Sequence, residues 1–517
     1  MLYKVVIMTN EVELKLRINQ SDIPALKHQL ASFASTRNDV QISAPVTRKT
    51  LSVYFDTPYL SLFDHGLSLR LRHANRKWTQ TIKDAGNAVS GLHQRLEIEW
   101  EVKGGKLDFN KITDPTYQAF FNNNSLRNAL VPLFSTDIRR TTWYLTYKTN
   151  DKIELVLDVG ELIADVNREP ICEVELELKN GNKARLFELA LALQAHFPLW
   201  IENISKAQRA YAYFRSQPPV IFNAKPIKLD GKALAIDSLK QILMSCLVQL
   251  QGNQDMVLHG HDIEGVHQMR VALRRLRAAL KIFSQILDKQ NTKKIYQDLI
   301  WITNTLGNGR DLDVFTTQTL PPVMAQMPNQ PSLALLAKRA QQARKSTYAN
   351  IREAITSQRY QHLLLTLASW VENQDQQNKK NIKLTLAEVA EPMLNKWYAQ
   401  LQKSSNKIKK ASPEERHRTR IAAKKLRYLA EFFASLYPTK KTRPFIKSLS
   451  ELQDQLGMMN DISVTSNLIE SLIKEKPSKE LLAAKHLLDG WNARSLFSYF
   501  KEAKTTWKAF LKQKPFW

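Results

Sequence analysis

Glu11-Val-Glu-Leu-Lys-Leu-Arg-Ile18 alternates charged and apolar residues without a break. Side chains alternate across a β-strand, so Glu11, Glu13, Lys15 and Arg17 share one face and Val12, Leu14, Leu16 and Ile18 the other. One such strand alone reads as a sheet surface with its charges in water. The pattern recurs, however, with the signs segregated. Gly66-Leu-Ser-Leu-Arg-Leu-Arg72 pairs Arg70 with Arg72. Arg95-Leu-Glu-Ile-Glu-Trp-Glu101 groups Arg95, Glu97, Glu99 and Glu101, and Glu173-Val-Glu-Leu-Glu-Leu-Lys179 repeats the acidic version. Like carboxylates on one face raise one another's pKa unless a cation sits among them. Several strands of this kind predict a sheet that encloses charge, a place for a metal and a polyanion.

Working outward, period-two segments lie near 10–18, 50–56, 66–73, 78–83, 94–102, 139–148, 152–159 and 171–179. Amphipathic helices are predicted over 21–33 and 183–196, the first capped by Ser21 or Asp22. Gln217-Pro-Pro-Val-Ile-Phe-Asn-Ala-Lys-Pro226 reads as a linker, because paired prolines stop regular structure. From about residue 230 the apolar period becomes helical and stays so. The chain thus divides into an α+β part over 1–215, a linker over 216–229 and an all-α part over 230–515.

The helical part repeats itself. His267-Gln-Met-Arg-Val-Ala-Leu-Arg-Arg-Leu-Arg aligns without gaps to His417-Arg-Thr-Arg-Ile-Ala-Ala-Lys-Lys-Leu-Arg. Leu306-Gly-Asn-Gly-Arg-Asp311 aligns to Leu456-Gly-Met-Met-Asn-Asp461, and both pairs stand 150 residues apart. A shared offset means a duplicated unit, here two helical bundles spanning about 232–380 and 384–515. In the first copy His267, Arg270, Arg274, Arg277 and Lys281 form one helical stripe; His417, Arg420, Lys424 and Arg427 repeat it, with Glu431 in place of the fifth cation. A single basic stripe is usually a solvated face, but its repetition marks a polyanion surface, and a leading His gains affinity for phosphate when protonated. Asp311, Asp313 and Asp461 read as helix-locking partners of cations.

The net charge of +26 is uneven. Residues 1–220 hold 28 Lys and Arg against 24 Asp and Glu, whereas residues 221–517 hold 47 against 25. The second half therefore attracts polyanions. Its basic helices interleave Leu, Ala and Ile rather than aromatics for base stacking, which argues against nucleic acid. Two cysteines, Cys172 and Cys246, give neither a disulfide framework nor a metal motif and fit a reducing cytoplasm. No apolar run approaches the roughly 20 residues of a membrane span. The start is open between Met1 and Met8.

Carboxylates hold Mg²⁺ or Mn²⁺ through hard oxygens, and Arg and Lys clamp phosphate. The cations available for that task are Lys15, Arg70, Arg72, Lys83, Arg95, Arg139 and Arg140. The ordered set Glu11-x-Glu-x-Lys15, Tyr54-Phe-Asp-Thr57, Leu69-Arg-Leu-Arg72, Thr81-Ile-Lys83, Leu157-Asp-Val-Gly160 and Glu173-Val-Glu-Leu-Glu177 resembles the CYTH superfamily, the triphosphate tunnel metalloenzymes, over about 8–215. Gly91-Leu-His-Gln-Arg95, Pro132-Leu-Phe-Ser-Thr-Asp137, Pro170-Ile-Cys-Glu-Val-Glu and Ser205-Lys-Ala207 resemble its bacterial inorganic triphosphatase branch. The resemblance implies a closed eight-stranded antiparallel tunnel. It implies that Glu11, Glu13, Glu173 and Glu175, with Glu97 and Asp158 as further candidates, hold the divalent metal. Lys15, Arg70, Arg72, Lys83, Arg139 and Lys206 would bind triphosphate, and Glu11, Glu13, Lys15 and Glu175 would carry catalysis. Glu99, Glu177, Arg95, Arg140 and Glu154 are expected to line the tunnel without assigned roles.

The chemistry so implied is metal-dependent hydrolysis of inorganic triphosphate to diphosphate and phosphate. Thiamine triphosphate and nucleotides, adenylate cyclisation included, are the alternative substrates; a protein that only anchors polyphosphate is the alternative class. The part after 230 resembles the CHAD domain, a duplicated helical module associated with inorganic polyphosphate. That likeness would make the two basic stripes its binding surface.

Overall fold

The structure, a computed structural model, describes residues 7–215, 220–260, 262–287, 289–373, 384–405, 413–475 and 477–517. Met1 and the Gln217-Pro-Pro219 part of the linker lie outside them. The chain forms two compact units, Met1–Pro218 with Gln361–Glu372, and Pro219–Tyr360 with Asn373–Trp517.

The first unit is built on strands β1 (Ile7–Ile18), β2 (Val40–Ile42), β3 (Val46–Asp56), β4 (Leu67–Ala74), β5 (Lys77–Asp84), β6 (Asn87–Val89), β7 (Leu92–Val102), β8 (Val131–Tyr147), β9 (Lys152–Ala164), β10 (Asn167–Asn180) and β11 (Leu199–Ile201). β1 pairs with β10 on one side and β7 on the other. The order β1-β10-β9-β8-β3-β4-β5-β7 therefore closes on itself as an eight-stranded antiparallel barrel. Closure removes every sheet edge from the wall. β11, β2 and β6 are short additions to β1, β8 and β7.

The barrel is apolar outside and charged inside. Leu14, Leu16 and Ile18 of β1 join Leu155, Leu157, Val174 and Leu176 in one outer cluster. It is covered by Leu26, Leu30 and Phe33 of helix Ile23–Thr36 and by Leu186, Phe187 and Leu193 of helix Ala184–Gln194. Leu365 and Ala368, from the segment Gln361–Glu372, complete that cover. A second outer cluster gathers Leu69, Leu71, Ile82, Ile98 and Trp100 over Phe121. Each such side chain contributes about 1.5–3 kcal/mol when fully buried. The core therefore lies between wall and helices, which leaves the lumen free to be polar.

In the second unit the helices Ala235–Gly252, Ile263–Ile282, Lys289–Val314 and Pro331–Thr356 recur as Leu386–Ser405, Pro413–Phe432, Thr439–Glu475 and Lys479–Leu511. Corresponding helices begin 151, 150, 150 and 148 residues apart. The copies meet at equivalent positions. Leu234 and Thr385 form an antiparallel bridge. The Ala235 N–H donates to the Leu384 carbonyl at 2.9 Å, and the Leu386 N–H to that of Ala233 at 2.8 Å. A contact between residues one repeat apart places both near a pseudo-twofold axis, where an isologous contact is self-complementary. Among the described residues no helix is long and apolar enough to cross a membrane.

Candidate functional site

The barrel lumen holds a cavity of about 490 Å³, and its lining divides by strand. The contiguous arc β7-β1-β10-β9 contributes Glu97, Glu99, Glu11, Glu13, Glu175, Glu177 and Glu154. The opposite arc β8-β3-β4-β5 contributes Arg140, Arg70, Arg72 and Lys83 with the hydroxyls of Thr50, Ser52, Thr81 and Thr136. One wall thus offers carboxylate oxygens and the other cations and hydroxyl donors. Lys15, Arg95 and Lys179 interrupt the acidic arc. Lys206 enters from helix Lys206–Phe214, whose first turn is set by a reciprocal cap between Ser205 and Gln208.

The charges are paired across the lumen. Lys83 Nζ donates to both Glu11 oxygens at 2.8 and 2.7 Å and lies 3.0 Å from Glu97. Arg95 Nε donates to Glu11 at 2.8 Å, and its Nη2 to Glu13. Lys15 donates to Glu13 at 2.8 Å and to Glu175. Arg140 makes a bidentate pair with Asp158 at 2.7 and 2.6 Å and reaches Glu175 at 3.0 Å. Burial alone would raise these carboxyls, but Lys83, Arg95 and Lys15 hold Glu11 far below the usual range, and Lys15, Lys206 and Arg140 do the same for Glu175. Glu11 and Glu175 therefore stay ionised throughout the neutral range.

Arg72 differs. Among the described residues it makes no ion pair, and its buried Nε has no hydrogen-bond partner. Burial, with Arg70 and Arg140 beside it, pulls its guanidinium down to about 10. A buried cation crowded by two others is under-neutralised, and an anion in the lumen would relieve it.

Two motifs are explained by structure rather than chemistry. Asp56 of Tyr54-Phe-Asp-Thr57 is fully buried and accepts the Thr57, Leu62 and Phe63 N–H groups and the Tyr211 hydroxyl, which anchors the turn after β3. Gly160 of Leu157-Asp-Val-Gly160 lets β8 approach β9, because a Cβ there would lie 2.0 Å from the Asp137 carbonyl oxygen. The neighbouring pair Arg140 and Asp158 depends on that approach.

The structure brings Glu11, Glu13, Lys15, Arg70, Arg72, Lys83, Glu97, Glu175 and Lys206 together in the lumen. Asp158 and Glu173 are buried behind it. Asp158 is engaged by Arg140 and by Lys206 at 3.0 Å, and Glu173 by Lys206 at 2.6 Å and Arg209. Arg139 is corrected: it lies outside the barrel beside Arg48, Lys49 and Asp137, and Arg140 takes the inward position. The strand parity carried that signal, since Arg139 shares the face of the outward, buried Trp143, Leu145 and Tyr147. Lys179, Arg209 and the hydroxyl face of Thr50, Ser52 and Thr136 escaped the sequence reading; the alternation in β3 and β8 would have exposed the last.

Among the described residues no three His, Cys, Asp or Glu side chains converge as a ready metal-ligand set. Their chemistry nevertheless suits a hard divalent cation. Glu13 stands opposite Glu177, and Glu177 opposite Glu154, so three adjacent strands carry a row of carboxylates. Burial, with Glu11 and Glu154 nearby, pushes the Glu177 carboxyl up despite its contact with Lys179. One cation, Lys179, is shared by Glu177 and Glu154, at 2.6 and 2.9 Å.

In the helical unit, Arg270 and Arg274 of helix Ile263–Ile282 meet Arg420 and Lys424 of helix Pro413–Phe432. Asp311 and Asp461, also one repeat apart, stand between them. Among the described residues none of the four cations makes an ion pair, and the buried Nε atoms of Arg270, Arg274 and Arg420 have no partner. Arg270 Nη1 donates to the Thr303 carbonyl at 3.2 Å and passes over Gly307, where a Cβ would lie 2.6 Å from it. Arg277 sits over the Tyr296 ring at 5.3 Å, and Lys281 is exposed. Lys425, missed by the stripe pattern, lies near both. Arg427 is engaged by Glu431 at 2.9 Å and Gln453 at 3.1 Å. His417 bonds Asn460 at 3.2 Å, and His267 lies by Glu264 and Arg310. Asp313 locks helices through Arg344 and Tyr348, both at 2.7 Å.

Fold and sites define a class: a charge-lined antiparallel β-tunnel carried in one chain with a duplicated basic helical module. Residues 9–211 match the CYTH domain and residues 241–470 the CHAD domain, so the chain carries a CYTH domain followed by a CHAD domain. It is similar to an inorganic triphosphatase of Haemophilus influenzae, 32% identical over 206 residues, or 40% of this chain. The chain spans about half the length of that relative, 55%. Among solved structures it is similar to the CHAD domain of Ricinus communis, with 30% identity, 55% of this chain and 96% of that chain covered, and a TM-score of 0.49. It is also similar to a Hippeastrum protein with a dominant triphosphatase activity, at 20% identity, 40% and 95% coverage and a TM-score of 0.28.

Proposed function

We propose that the barrel hydrolyses the terminal phosphoanhydride of inorganic triphosphate, releasing phosphate and diphosphate, and that the basic seam of the helical unit binds inorganic polyphosphate. The observation that carries the first reading is the two-walled lumen, with Arg72 unpaired on its cationic side. The similarity to the Haemophilus inorganic triphosphatase supports it. Arg70, Arg72, Arg140 and Lys206 would clamp the phosphate oxygens, and the hydroxyls of Thr50, Ser52, Thr81 and Thr136 would donate to them. Glu11, Glu13 and Glu175 would hold Mg²⁺ or Mn²⁺; bound there, the cation supplies neutralising charge at the phosphate oxygens. Water attacks the terminal phosphorus, the bridging P–O bond breaks, and diphosphate leaves with charge that Lys15 and Lys206 stabilise. Glu177, the lumen carboxyl pushed upward, would orient the water and take its proton. The unpaired Cys172 and Cys246 fit a cytoplasmic setting.

Phosphate release from inorganic triphosphate, measured with and without Mg²⁺ or Mn²⁺ beside a Glu13→Gln/Glu175→Gln double variant, tests this. Cation-dependent turnover that the variant loses is expected. Turnover that survives in the variant, or triphosphate bound without release while thiamine triphosphate or ATP is cleaved, overturns it.

A further inference from the structure

The centre of the helical seam holds Arg270 and Arg274 from one repeat and Arg420 and Lys424 from the other, with no carboxylate in ion-pair contact with any of them among the described residues. Lys424 is largely buried. The charged groups facing it are Arg420 on its own helix, Arg270 and Arg274 on helix Ile263–Ile282, and Asp461 on helix Thr439–Glu475. Arg310 and Asp311 of helix Lys289–Val314 surround Arg270 in turn, and His267 lies beside Arg270 and Arg274. Three guanidinium groups and Lys424 against the two carboxylates of Asp311 and Asp461 leave this cluster over-charged when empty. Arginine cannot shed its proton in the accessible range, whereas lysine can. Of the four cations, Lys424 is the one that can relieve the repulsion by losing its proton.

We propose that Lys424 is a proton-coupled ligand of the polyphosphate site, neutral when the seam is empty and charged when a polyanion lies in it, so that binding takes up one proton. The proposal rests on the reading of the seam as a polyphosphate site. Burial, with Arg420 and Arg274 beside it, holds the empty-state lysine down to about 6. A row of phosphates reverses the sign of its surroundings and returns it toward its ordinary range. The direction of the linkage follows. Below about 6 the lysine is charged in both states and affinity does not depend on it. Above that, each binding event must draw a proton from solvent, so affinity falls about tenfold per pH unit until the bound-state value is reached.

The test is calorimetric titration of the full-length protein with inorganic polyphosphate in divalent-free solution near pH 8, in two buffers of different ionisation enthalpy, and again across pH 7 to 8.5. Terminal phosphates meeting cations lose protons, which is the opposite sign. Close to one proton taken up, and an affinity falling about tenfold per pH unit, are expected for the natural chain. Lys424→Arg keeps the charge and should bind with no uptake and a flat pH profile; Lys424→Gln should bind more weakly and equally flat. Equal uptake and slope in the natural chain and both variants overturn the proton coupling while leaving the polyphosphate site intact. Absence of binding, or binding indifferent to Arg270→Ala and Arg274→Ala, overturns the polyphosphate reading itself and the coupling with it.

Discussion

Phe283 and Phe433, 150 positions apart, pack edge to face with ring centroids 6.1 Å apart and planes at 83°. Both are fully buried. Equivalent residues of two repeats can touch only near the axis that relates them, so this pair marks where the duplicated halves lock. Replacing either ring by alanine should cost about 3–5 kcal/mol. Because the second replacement loses a contact already broken, the double variant should cost about 0.5–1.5 kcal/mol less than the two singles together. Chemical unfolding of the four proteins checks this; strict additivity would place the rings in independent cores.

The closed barrel and the helical repeat were legible because each rests on a local pattern. Alternation in Glu11–Ile18, Arg95–Glu101 and Glu173–Lys179 is a covalent property of the strand, and an offset of 150 between motifs needs no tertiary knowledge. Partner choice within the lumen was not legible. Lys206 and Arg140 compete for the same carboxylates through the barrel's register, which no local window contains. The fate of Arg427 was hidden for a similar reason: Glu431, one turn on, neutralises it and removes it from the seam. Convergence of Arg270 with Arg420 was likewise invisible, since a stripe shows which residues share a helix face but not what that face meets.

Arg72 and Arg139 test the two faces of the barrel wall. Arg72→Ala removes the unpaired lumen cation and should lower kcat for triphosphate hydrolysis about 10²-fold, the usual effect of deleting one preorganised charge-stabilising donor. Arg139→Ala alters an exposed outer position and should leave kcat within about twofold. Steady-state kinetics on both variants decides. An Arg139→Ala defect matching that of Arg72→Ala would mean that β8 runs in the other register.

The glycines that open two repeat motifs are not equivalent. A Cβ at Gly307 would lie 2.6 Å from Arg270 Nη1, whereas one at Gly457 has no heavy atom within 4 Å. Gly307→Ala should displace the Arg270 guanidinium and weaken polyphosphate binding about tenfold, equivalent to about 1.4 kcal/mol. Gly457→Ala should leave affinity unchanged and stabilise its helix by about 0.5–1 kcal/mol, because alanine restricts the unfolded chain and glycine does not. Titration calorimetry paired with thermal melts separates the two effects. Equal losses of affinity would show that Arg270 is not held through Gly307.

Leu365 extends the sequence of the barrel unit beyond its own strands. It is fully buried in the outer cluster with Leu14, Leu16 and Leu176, and Ala368 lies beside it. From the same segment, the Gln361 side chain accepts the Ile201 N–H at 3.0 Å. Ile201 belongs to β11, which pairs with β1 at Leu16, and the next residue, Glu202, donates its N–H to the Lys15 carbonyl at 3.0 Å. Apolar cover from Gln361–Glu372 thus bears on the backbone that carries Lys15 into the lumen. Leu365→Ala should cost the barrel about 2–5 kcal/mol through the cavity it leaves. Amide exchange should quicken first in β11 and the C-terminal half of β1, and turnover should fall with it while the seam's affinity for polyphosphate holds. Unchanged protection of Leu16 and Ile201 in that variant would mean that the barrel wall does not need this segment.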